Sequence, residues 1–307
     1  MSRSSLSRTV EILSDARYVQ AESPRWDGRD GTLAWIDMAS GAFHRGRIEQ
    51  GRVIPETSVL VGAQIGAPVP LAAAGAGWAV AVDQGLVHVS DDGVVSPLAT
   101  DVARAGDYMN DGGADPFGRF WVGSQAMPRD PHCSLWSFDS RGGPTERLSG
   151  VTVSNGLSFD RSGSTLYYID TLPHRSIEAF DVAPDGTLSN RRTVCRVDGG
   201  NPDGMTIDHE GMLWVAVWDA AEVRRYSPEG TLVETIALPA TRPTAVALVD
   251  RLLVITTASV GLAQPTDADG ALLGVEVEVG GSPALPWAGS PPPAVAARPA
   301  TVGEVTR

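Results

Sequence analysis

The 307-residue sequence contains no lysine: all 24 of its basic side chains are arginine. Schiff-base chemistry on a lysine amine and a phosphate loop closed by its usual lysine are therefore excluded. Positive charge is scarce as a whole, with 37 acidic residues leaving a net −13 at neutral pH. That balance argues against nucleic acid and against an anionic membrane as partners. Cys133 and Cys195 are the only cysteines, too few for a disulfide framework and without C-x-x-C spacing. Both are expected as small core hydrophobes. No stretch approaches the roughly 18 apolar residues of a membrane span. Met1 to Arg17 is rich in Ser and Arg and lacks the apolar run of a secretory signal, so the sequence reads as a soluble, cytoplasmic protein.

Amphipathic helical stretches are also missing, whereas 34 glycines punctuate a chain that is 42% hydrophobic. Short strands joined by turns follow from that pattern, and the strands recur. A glycine or turn followed by an apolar run appears at residues 31–37, 77–83, 118–124, 163–170, 211–217 and 250–256, with steps of 46, 41, 45, 48 and 39. A second marker at Phe43, Val87, Leu135, Ile177, Val223 and Leu272 keeps the same period. A repeat of about 44 residues matches a four-stranded blade. Six units predict an all-β, six-bladed β-propeller over residues 1–289, with the marker strands as the first and second strand of each blade. The strand-like segment 9–13 is expected to pair with 272–279 and close the ring. Residues 290–307, rich in Pro and Ala, are expected to form a disordered tail.

In a propeller the innermost strands line a central channel, so residues at one phase of the repeat converge. Five residues before a blade-turn aspartate stand Glu22 (before Asp27), Asn110 (Asp115), Asn155 (Asp160) and Asp203 (Asp208). The corresponding places in blades two and six, near Pro70 and Ala245, are apolar, which makes the oxygen cage one-sided. Two carboxylates and two amides gathered near an axis repel and resist desolvation unless a cation joins them. Oxygen ligation suits Ca²⁺, Mg²⁺ or Mn²⁺, with Zn²⁺ admissible at a catalytic site. The five histidines show no ligand spacing and are expected at surface or second-strand positions. Asn155-Gly156 and Asp203-Gly204 are also ordinary turn dipeptides, but Glu22 has no special use in turns, and Pro24 holds its strand extended.

At these residues the sequence resembles the senescence-marker-protein, gluconolactonase and regucalcin-like (LRE-like) family. The resemblance spans nearly the whole chain and rests on Glu22-Ser23-Pro24-Arg25-Trp26, Asn110-Asp111-Gly112 with Asp115-Pro116, Ser154-Asn155-Gly156-Leu157 and Pro202-Asp203-Gly204-Met205. It implies one divalent ion held by Glu22, Asn155 and Asp203, with Asn110 and Asp111 facing a small lactone or related ester. Asp203 is the expected general base and Asp111 the reserve. Departures bear on the substrate. Tyr108 stands where some sugar-lactone-hydrolysing members carry Arg, and Gln125-Ala126-Met127-Pro128 lacks the acidic residue they place there. Tyr108, Met109, Trp121, Gln125, Met127 and Trp218 therefore point to a more apolar substrate pocket. A non-catalytic metabolite- or protein-binding propeller with a structural ion, and a metal-assisted isomerase or cyclase, are the competing readings. A monomer or weak homo-oligomer is expected.

Overall fold

The computed structural model describes residues 8–141 and 143–291; the expected tail beyond 291 lies outside the described residues. Twenty-four strands form six four-stranded antiparallel sheets, arranged as a six-bladed β-propeller. The innermost strands are Ala21–Asp27, Ile65–Pro70, Asp107–Ala114, Ser154–Phe159, Asn201–Ile207 and Pro243–Val249. Ring closure is as expected. Glu11 and Ile12 pair with Gly274 and Leu273, so the chain's first strand is the outer strand of the sheet that its last strands build.

One expectation needs correction: both sequence markers fall one strand further out. The first marker runs are the second strands of their sheets, such as Thr32–Asp37 and Leu213–Trp218, and the second markers lie in the third strands. The reason is burial. Second strands are covered on both faces, and Thr32–Asp37 and Phe120–Ala126 are buried at every position, so they read as continuous apolar runs. Successive side chains then serve different neighbours. Leu33 and Trp35 pack toward blade six, while Ala34 and Ile36 pack toward blade two.

The apolar core therefore lies in the gaps between blades rather than at the centre. Six separate clusters fill the six gaps, and the axis is left free for polar groups. Four blades are pinned at one end by an aspartate turn, at Asp27, Asp115, Asp160 and Asp208. Asp115 accepts the backbone N–H groups of Phe117 and Arg119 and the Trp121 indole N–H at 2.8 Å. Asp208 does the same for Glu210, Met212 and Trp214. Gly118 and Gly211, both at φ 78°, supply the left-handed residue of these turns.

A segment without a sequence marker crosses this same end. His209 donates its backbone N–H to Gly280, Ala284 to Trp26, and Ala288 to Gly118, so residues 280–288 pass over several blades. Trp287 anchors the strap between blades two and three, with its indole N–H donated to the Phe138 carbonyl at 3.0 Å. Strap residues Ser282 to Leu285 line a cavity of about 800 Å³ at that end of the channel. The polar hub lies toward the opposite end, where the innermost strands begin.

Candidate metal and active site

Every innermost strand breaks its pairing near its start. The register shifts between Glu22 and Arg25, Ile65 and Pro68, Met109 and Gly112, Ser154 and Leu157, Pro202 and Met205, and Pro243 and Ala245. A bulge re-aims side chains that regular pleating would bury between sheets. Asn110, Asn155 and Asp203 fall inside these breaks, and Glu22 at the edge of one. Asn155-Gly156 and Asp203-Gly204 are thus mid-strand bulges and not turns. Their glycines answer a steric demand: a Cβ on Gly156 would lie 2.6 Å from the Asp203 carbonyl oxygen, and one on Gly204 would lie 2.7 Å from the Ala245 Cα. Adjacent innermost strands meet backbone to backbone, which brings the oxygen-bearing residues together.

The one-sided cage needs adjustment in register. In blade two the break falls at Gly66 and Ala67, whereas Pro70 ends the strand. In blade six it falls at Thr244, whose hydroxyl donates to the Ala21 carbonyl at 2.6 Å. Those sides are marked by small residues rather than by uniformly apolar ones.

Glu22, Asn110, Asp111, Asn155 and Asp203 are each only 4–8% exposed. A chain of amides sets the orientation of the two asparagines. Gln125 donates to the Asn110 side-chain oxygen at 2.7 Å, Asn110 donates to Asn155 Oδ1 at 2.9 Å, and Asn155 donates to Thr171 Oγ1 at 2.6 Å. Thr171 ends the relay on the Pro202 carbonyl. Asn155 thereby keeps its oxygen on the Asn110 side and its nitrogen on the Thr171 side.

The carboxylates differ in what holds them. Asp111 Oδ1 lies 3.0 Å from Ser23 Oγ and 3.0 Å from the Arg25 guanidinium, which also reaches the Gly112 carbonyl. Glu22 accepts one N–H, from Ser23 at 3.2 Å, and Asp203 is served by the Gly204 backbone N–H. Burial, then the charges of Asp203 and Asp111, push the Glu22 carboxyl well above the usual range. Burial and Asp111 raise Asp203 in the same way, with Arg129 pulling the other way. Buried, repelling and thinly hydrogen-bonded carboxylates beside two oriented amides form a donor set that a hard divalent cation would satisfy.

A second donor group lies elsewhere in blade three. Asp107, His132 and Cys133 offer ligand atoms within 4.8 Å of one another, although Cys133 is a core residue as expected, 1% exposed in the cluster between blades three and four. This group also closes without an ion: His132 Nε2 is hydrogen-bonded to Asp107 Oδ1 at 2.9 Å, and Cys133 Sγ lies 3.9 Å from Oδ2.

The predicted pocket residues separate. Tyr108 and Gln125 face each other across the strand pair beside Asn110, and burial pushes the Tyr108 phenol up. Half-buried Trp218 pairs with Asn201 and carries the Arg242 guanidinium 5.0 Å above its ring. Trp121 is not a pocket residue. It is 0% exposed in the cluster between blades three and four, because the second strand that carries it has no open face. Met109 is buried between blades two and three, and Met127 is exposed. Arg25, Thr171 and Arg129 escaped the sequence reading. Arg25 stands in plain view within Glu22-Ser23-Pro24-Arg25-Trp26, and nothing in the repeat marks the other two. Asn201, two residues ahead of Asp203, was also missed; its side-chain oxygen is buried without a hydrogen-bond partner.

Comparison with known proteins agrees with this architecture. The family model of the SMP-30/Gluconolactonase/LRE-like region matches residues 20–259. Regucalcin of Xenopus laevis is 32% identical over 76% of this chain and 81% of its own length. The 6-deoxy-6-sulfogluconolactonase of Pseudomonas putida is 30% identical over 79% of this chain and 83% of its own length. A solved luciferin-regenerating enzyme superimposes with a TM-score of 0.84 at 25% identity, covering 91% of this chain and 99% of that one.

Proposed function

The chain belongs to the SMP-30/Gluconolactonase/LRE-like family, and we propose that it is a divalent-metal-dependent hydrolase of a lactone or related small ester. The observation that supports this reading is the hub itself: Glu22, Asn110, Asp111, Asn155 and Asp203 are all nearly buried at the bulges of the innermost strands, with Asn110 bonded to Asn155 and the charges of Asp203 and Asp111 acting on Glu22. Glu22, Asn155 and Asp203 would hold one ion, Ca²⁺, Mn²⁺, Mg²⁺ or Zn²⁺, which supplies electrophilic polarisation of a carbonyl and a more acidic bound water.

The chain's own groups divide the remaining work. Asp203 takes the proton of the attacking water, because Asp111 is already engaged by Arg25 and Ser23. Arg25 and Asp111 form an ion pair at 3.0 Å that braces the hub. Asn110, locked by Gln125, together with Tyr108 and Trp218, orients the substrate above it. A relative named as a 6-deoxy-6-sulfogluconolactonase supports the same class of chemistry.

Proton release from a panel of γ- and δ-lactones tests the reading. Chelator-stripped protein is expected to be inactive and to regain turnover with at least one of the four cations. Turnover no higher than spontaneous hydrolysis with every cation, while an ion still raises the melting temperature, would make the protein a non-catalytic binder.

A further inference from the structure

A second pocket of about 560 Å³ adjoins the hub, lined by Arg129, Thr152, His174, Arg175, Arg196 and Asp198 among others. It is continuous with the hub's supports. Leu172 in its wall follows Thr171, which holds Asn155, and Arg129 is close enough to Asp203 to act on its carboxyl.

Its charge runs against the character of the chain. In a protein of net −13, most described arginines hold a carboxylate: Arg8, Arg25, Arg29, Arg119, Arg225 and Arg242 are examples. Arg129, Arg175 and Arg196 have no such ion pair among the described residues, yet two loops and the end of the strand Leu188–Arg196 bring them to one concavity. Asp198 is the opposing charge in the lining, which leaves an excess of positive charge before His174 is counted. Cations gathered beside a catalytic hub, in excess of the protein anions that face them, are suited to an anion that arrives with the ligand. The pocket is concave and small, and the chain as a whole carries net negative charge, so the anion belongs to a small molecule.

We infer that the substrate carries an anionic group, a carboxylate, sulfonate or phosphate, remote from its scissile carbonyl, and that Arg175 and Arg196 bind that group while Arg129 bridges it to the hub. The inference rests on the hydrolase reading and deepens it. It also accounts for Tyr108 at the hub: the side chain there need not be charged, because the charge recognition lies one loop further out.

The test compares matched lactones that are neutral or carry one carboxylate, sulfonate or phosphate, at low and high salt, for wild type and Arg175→Gln/Arg196→Gln. The anionic members are expected to have kcat/KM at least tenfold higher, an advantage that salt erodes. The double variant is expected to raise KM for them about 10- to 100-fold, as for loss of charge-assisted hydrogen bonds, and to leave turnover of the neutral lactone unchanged. The preferred anion identifies the source of the charge. Equal rates on neutral and anionic lactones in wild type would overturn the inference and leave the hydrolase reading intact. If no lactone is turned over, the hydrolase reading fails alone, and calorimetric binding of the anionic lactone decides this one: binding that the double variant loses supports it, and absence of binding overturns it.

Discussion

Asp203→Asn is expected to lower kcat on a lactone about 10²- to 10⁴-fold, the range for removal of a general base, and added metal is not expected to restore it. The contrast is with Glu22→Gln. Glu22 is assigned to holding the ion only, so its variant should lose apparent metal affinity and recover most of kcat when the cation is raised. Asp111→Asn should fall between the two, because it frees the Arg25 guanidinium beside the hub without removing the base. Steady-state kinetics across a cation titration separate the three. A kcat for Asp203→Asn within a few-fold of wild type would remove Asp203 from the base role and pass it to Asp111.

The second large effect is steric. Gly156→Ala adds a methyl group 2.6 Å from the Asp203 carbonyl oxygen and 2.7 Å from the Met205 Cβ. Neither neighbour is the free end of a flexible side chain, so the two innermost strands must separate. Overpacking of this kind costs about 1–3 kcal/mol, but the larger consequence is functional, since Asn155 and Asp203 stand on either side of the displaced contact. Gly156→Ala is therefore expected to abolish metal-dependent turnover with only a modest fall in melting temperature. Gly143→Ala, where an added methyl meets nothing within 4 Å, should change neither. Full activity in Gly156→Ala would show that the strand spacing at the hub is not what positions these ligands.

Much of this arrangement is legible in the chain. The period, the six blades, the closing strand and the four oxygen-bearing residues at one phase all follow from residue order, because the second strands are buried on both faces and repeat as unbroken apolar runs. The same property explains the slip by one strand. Innermost strands are broken by bulges and carry the polar hub, and outer strands such as Pro144–Val151 are mostly exposed, so neither leaves a clean pattern. Trp121 was misplaced because an aromatic residue on a doubly covered strand looks, in sequence, like one lining a pocket. The bulges turn Asn-Gly and Asp-Gly from apparent turns into close strand contacts, and only three-dimensional spacing distinguishes the two. Arg129 and Arg175 sit in loops and Arg196 ends a strand, without a shared phase, and their meeting depends on how blades three and four lean together. No helix among the described residues is long and apolar enough to cross a membrane.

The most direct measurement is a calorimetric titration of chelator-stripped protein with Ca²⁺, Mn²⁺, Mg²⁺ and Zn²⁺, at about pH 7.5 and about pH 5.5. Because burial and mutual repulsion raise the Glu22 and Asp203 carboxyls, the stripped hub holds protons that an ion must displace. Their contribution to the stability of the stripped protein is complete below the ordinary carboxylate range and is lost as pH rises through the raised values. The account predicts one ion per chain, proton release on binding and weaker binding at the lower pH. It also predicts that Glu22→Gln and Asp203→Asn bind the ion much more weakly while Cys133→Ser binds it as wild type does. Undiminished binding in both hub variants, or loss of the ion with Cys133→Ser, would contradict it and move the metal to Asp107, His132 and Cys133.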